Sequence, residues 1–129
     1  MKKIIFVLPV MFFVVISSVF AQKLNCAKFK NGTFKMTYQG KETIIVRNGN
    51  QQQQYYDGSK EPTIYAVKWV NSCTLNLIPA QKRVKELKDV PSNAYLTQKI
   101  IKTSKNSYTQ LTSANFSKRT ITTEIYKIK

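Results

Sequence analysis

The stretch Thr63 to Ile78 constrains this chain more than any other. It reads as eight β-favouring residues ending at Val70, a polar Asn71-Ser72 break, and six alternating residues from Cys73 to Ile78. Two such runs around a two-residue break form a β-hairpin signal. Tyr65, Val67 and Trp69 fall on one face of the first strand, and Cys73, Leu75 and Leu77 on one face of the second. Side chains alternate with a period of two, so both sets can point inward. Ile64, Ala66 and Val70 are apolar as well, which predicts a strand buried on both sides.

The same alternation recurs on either side of this hairpin. Phe34, Met36 and Tyr38 alternate with Thr and Lys, Glu42–Arg47 resumes after a Gln39-Gly40 break, and Asn48-Gly49-Asn50 is a strong tight-turn signal. Gln51–Tyr56 reads as a polar strand at an edge or on a wet face. Tyr95–Thr103, Ser107–Thr112 and Arg119–Ile128 complete the series. Between Pro79 and Asn93 the residues are helix-forming and basic, predicting a short helix or an ordered loop near 80–90. About eight short strands joined mostly by tight turns predict an all-β fold, a single antiparallel barrel or sandwich, with an up-and-down meander favoured. That meander resembles lipocalin-like architecture, with Gly32-Thr33-Phe34 standing where such proteins open on Gly-x-Trp, and it implies no ligand.

Lys2 and Lys3 precede an apolar run that ends near Val19-Phe20-Ala21. This pattern predicts a signal peptide over 1–21, cleaved after Ala21, and a single domain over 22–129, periplasmic or extracellular, with no transmembrane segment after cleavage. A domain of about 108 residues gains from a covalent staple. Export would carry Cys26 and Cys73, the two cysteines of the sequence, into an oxidising compartment, so a Cys26–Cys73 disulfide is expected. Losing Lys2 and Lys3 lowers the formal charge from +15 to +13, 19 basic against 6 acidic side chains. Such a surface favours an anionic envelope component or an acidic partner protein, while export makes nucleic acid a poor partner.

Cys26-x-x-Phe29-x-x-Gly32-x-Phe34 and Trp69-x-x-x-Cys73-x-Leu75-x-Leu77 together resemble a group of small secreted bacterial proteins of unknown function, some of which carry a DNA topoisomerase label. The resemblance implies export, a compact β-fold and a disulfide, and no activity. A chain this short has no room for the gates and metal-assisted tyrosine chemistry that a topoisomerase needs.

Histidine is absent, which removes Ser-His-Asp and Cys-His constellations and imidazole metal sites. No cofactor or metal is implied. A carboxylate hydrolase built on Asp57 and Glu61 is the low-ranking enzymatic alternative. The favoured expectation is a non-enzymatic binding module for an anionic or amphipathic ligand, with Trp69 and Tyr65 for the interior and Lys82, Arg83, Lys85 and Lys88 for the contact surface. The alternative is an interaction or inhibitor module docking through loops or the edge of the Gln51–Gln54 strand.

Overall fold

The computed structural model describes residues 23–86 and 89–129; the expected signal peptide and Lys88 lie outside them. A one-turn 3-10 helix, Cys26–Phe29, leads into strands β1 (Gly32–Tyr38), β2 (Lys41–Asn48), β3 (Gln51–Tyr56), β4 (Thr63–Asn71) and β5 (Thr74–Pro79). A short helix α1 (Gln81–Glu86) follows, then β6 (Leu96–Thr103), β7 (Ser107–Ala114) and β8 (Ser117–Lys127). Each strand pairs antiparallel with the next, and β8 returns to β1, so the sheet closes into an eight-stranded up-and-down barrel. Closure rests on the ladder Phe34–Met36 against Ile125–Lys127, extended by the Thr33 amide donating to the Lys129 carbonyl at 3.0 Å.

Turn chemistry explains the tight register. Tyr38 pairs with Lys41 across Gln39-Gly40, both at positive φ (50° and 76°), and Asn48 pairs with Gln51 across Gly49-Asn50, with Gly49 at φ +62°. These left-handed conformations twist two-residue turns in the sense that paired strands require. Gly32 is needed for another reason. At φ +143°, a Cβ there would lie 2.7 Å from the Lys129 carbonyl oxygen, at the seam where the barrel closes.

Alternation governs most of the sheet, interrupted by register shifts at Trp69/Asn71, Ile100/Lys102 and Thr112/Ala114, and three expectations change. Ile64, Ala66 and Val70 face solvent, because a barrel wall has only one covered side. The Gln51–Gln54 strand is not an edge: β3 is laddered to β2 and to β4, and Gln52 and Gln54 turn inward. Docking through that edge therefore has no basis in this fold. Cys73 sits in the turn between β4 and β5 rather than in a strand, its amide held by the Asn71 side chain at 2.9 Å. From that turn it forms the expected bond to Cys26, with Cα atoms 5.3 Å apart.

Because strands run alternately up and down, the barrel has two distinct ends. One gathers the 3-10 helix and the β2–β3, β4–β5 and β6–β7 turns; we call it the plugged end. The other gathers the β1–β2 turn, the β3–β4 loop, α1 with its connections, and the β7–β8 turn; we call it the open end. At the plugged end Phe29, Phe34, Tyr108, Ile100 and Ile125 pack with the disulfide into the larger apolar cluster. Phe29 lies 4.9 Å and Phe34 5.8 Å from the Tyr108 ring centre, the latter edge-on.

Candidate functional site

Among the described residues Arg47 is the one charged side chain in the buried core, only 1 % exposed. Alternation along β2 puts it on the same face as Thr43 and Ile45, which is the buried one; the apolar pair Ile44 and Val46 on the other face gave the opposite signal in the sequence. Its guanidinium donates to the Lys30 and Phe29 carbonyls (3.0 and 2.7 Å), to Gln52 Oε1 (3.0 Å) and to the Tyr108 hydroxyl (3.2 Å). The Phe34 and Trp69 rings lie 4.9 and 5.6 Å from it. Carbonyl dipoles and ring faces thus take the place of a counter-ion. The cluster seals the plugged end.

Trp69, expected beside Tyr65 in a ligand-facing interior, belongs to this seal. It lies half-buried against Arg47, with the Lys30 ammonium 5.5 Å from its ring. Four residues of strand separate the two aromatics by roughly 13 Å; both touch the cluster around Val67, Leu75 and Leu77, Tyr65 from the mouth side and Trp69 from the seal.

Above the seal Tyr65, Val67, Leu75 and Leu77 pack together along β4 and β5, with Trp69 and Leu96 against them, and fill one side of the barrel. A chamber of about 150 Å³ lies among Gln54, Gln98, Gln110, Thr112, Thr123 and the apolar Met36, Ile45 and Ile121. No charged side chain lines it. The Thr123 hydroxyl is buried and makes no hydrogen bond within the protein. An unpartnered buried hydroxyl costs about 1–3 kcal/mol unless water or a ligand satisfies it.

Tyr56 and Leu96 border this chamber and also a mouth of about 180 Å³ toward the open end, lined by Tyr65, Val90, Ala94, Tyr95, Phe116 and Arg83. The mouth is braced from above. Asn115, in the β7–β8 turn, donates to the Asn93 carbonyl and accepts from the Tyr95 amide, both at 2.9 Å. Of the expected site residues, Tyr65 and Arg83 therefore meet at the mouth. Lys82 lines an outer groove with Arg83 and Glu61, and Lys85 is exposed on α1. Asp57 is not part of that groove's wall, so the carboxylate pair is not brought together there. Among the described residues no three potential ligands gather for a metal.

At the neck, the Tyr56 hydroxyl donates to Gln54 Oε1 at 2.6 Å and lies 3.0 Å from the Tyr65 hydroxyl. Burial of the hydroxyl, then the neighbouring Tyr65, hold Tyr56 well above the ordinary phenol range, against an opposing pull from Arg83. An unfolded phenol loses its proton near pH 10. Above that pH the unfolded chain binds fewer protons than the folded one, so stability falls as pH rises. The ring remains 42 % exposed, and it is the hydroxyl that turns inward; ultraviolet titration is expected to show a late-ionising step that Tyr56→Phe removes, together with a flatter loss of stability above about pH 10.

Comparison with known proteins leaves the geometry to speak alone: no protein-family model, curated protein or solved structure matches this chain.

Proposed function

We propose that this protein is an exported, non-enzymatic binding module that takes a small amphipathic molecule through the open end, polar group first. The observation carrying this reading is an aromatic and aliphatic mouth leading to an uncharged, largely apolar chamber into which a few polar side chains, Gln54, Gln98, Gln110 and the unsatisfied Thr123 hydroxyl, are set. An apolar approach with a few convergent polar groups is the usual make-up of a small-molecule site. The disulfide is consistent with an oxidising, exported setting.

The volumes favour a short ligand, since drug-sized pockets run to about 300–1,000 Å³. The lining favours a neutral head, because an ion placed there would be desolvated with no opposite charge to meet it. Titration calorimetry with octanamide and with octylammonium separates the possibilities. Octanamide is expected to bind saturably, one to one, and octylammonium at least about tenfold more weakly. Equal binding of both, or of neither, would contradict the proposal.

A further inference from the structure

The charges of this chain are sorted by the fold in a way its linear order conceals. Of six acidic residues, five (Glu42, Asp57, Glu61, Glu86 and Asp89) belong to segments at the open end: β2 beside its turn, the β3–β4 loop, α1 and the connection after it. The sixth, Glu124, is on the outer wall of β8, three residues short of its plugged end, and hydrogen-bonded to Tyr126. The expected cationic surface on α1 therefore shares its end with most of the negative charge.

The plugged end carries Lys23, Lys28, Lys30, Lys105, Lys127 and Lys129 and no carboxylate side chain. Among the described residues none of these lysines pairs with a carboxylate. Instead the Lys28 ammonium donates to the Lys105 backbone carbonyl, and the Lys127 ammonium to the Lys28 backbone carbonyl at 2.8 Å, which holds two ammonium groups against this end and ties three lysine-bearing segments together. Like charges so gathered raise the local potential and are relieved by an external anion. Toward the same end, Val70 and Ile128 are 58 % and 52 % exposed. Cations interspersed with exposed aliphatics match an interface of anionic headgroups over acyl chains better than they match a polyanion in water.

We infer that the plugged end is a docking surface for an anionic lipid bilayer, and that a docked molecule presents its open end away from the membrane. This surface is independent of the chamber, so either assignment can fail while the other stands.

The test is co-sedimentation with vesicles of phosphatidylcholine alone and of phosphatidylcholine mixed with phosphatidylglycerol. Binding is expected only to the anionic vesicles and to vanish at high salt. Each lysine near such a surface is worth about fivefold in affinity. The triple variant Lys28→Gln, Lys105→Gln, Lys127→Gln should thus bind about a hundredfold more weakly. Because two of those side chains also hold carbonyls, Lys23→Gln with Lys129→Gln provides a variant that breaks no described side-chain bond, and it should lose about twenty-five-fold. The open-end set Lys82→Gln, Arg83→Gln, Lys85→Gln should change binding little. Indifference to phosphatidylglycerol, loss confined to the open-end set, or preference for double-stranded DNA or a sulfated glycan over the vesicles would each overturn the assignment. Octanamide binding by the plugged-end variants should be unchanged.

Discussion

Replacing Cys26 and Cys73 together by alanine is expected to lower the unfolding free energy by roughly 3–4 kcal/mol and the melting temperature by roughly 15–30 °C. The bond joins the 3-10 helix to the β4–β5 turn across a sequence separation of 47, so most of this loss is chain entropy returned to the unfolded state. A domain of this size has about 5–15 kcal/mol in total, which makes the change a large share of its stability. The barrel itself is expected to survive at low temperature, because all eight ladders close without the sulfurs. Cys26 and Phe29 are, however, both part of the plugged-end cluster, and freeing the helix that carries them should loosen the seal. Denaturant unfolding of the two proteins, with far-ultraviolet circular dichroism of each, measures both effects. A difference below about 1 kcal/mol would mean that the unfolded chain is already restrained in this region.

Arg47→Met is expected to cost about 3–5 kcal/mol, although it removes a buried cation. Removing a buried charge relieves its desolvation, and in many proteins an apolar replacement is harmless. Here the partners decide the sign. The Phe29 and Lys30 carbonyls and the Gln52 amide oxygen would stay in the seal with nothing to donate to them. Each orphaned group costs about 1–3 kcal/mol. Arg47→Lys should recover only part of the loss, since a point ammonium cannot serve four acceptors spread around a planar fork. Thermal unfolding of the three proteins gives the order Arg47, then Lys, then Met. Parity of the methionine variant with the parent would show that the acceptors find other donors.

The strands were legible because a period of two is a local property: each alternating run, and the Gly49 turn between two of them, appears in the structure where the sequence places it. What lay beyond reading depended on closure. Whether Ile64 and Ala66 meet a second layer or solvent is decided by the sheet curling onto itself, which no run of residues states. Gln52 and Gln54 look like an edge strand until β3 is known to be flanked on both sides; the same alternation then turns them inward, to the seal and to the chamber. Tyr65 and Trp69 do share a face, but a face of a nine-residue strand spans the barrel from mouth to seal. The separation of carboxylates from the plugged-end lysines follows from which turns lie at which end, and only the order of pairing fixes that.

We propose that the glutamine and threonine side chains set into the chamber serve a ligand, at some cost to stability, rather than the cohesion of the barrel. The denaturation midpoint of the triple variant Gln98→Leu, Gln110→Leu, Thr123→Val tests it most directly. If the polar lining serves a ligand, the variant should be as stable as the parent or more so, by up to about 2 kcal/mol, and should no longer bind octanamide. A variant destabilised by about 2 kcal/mol or more, yet still binding octanamide, would contradict it.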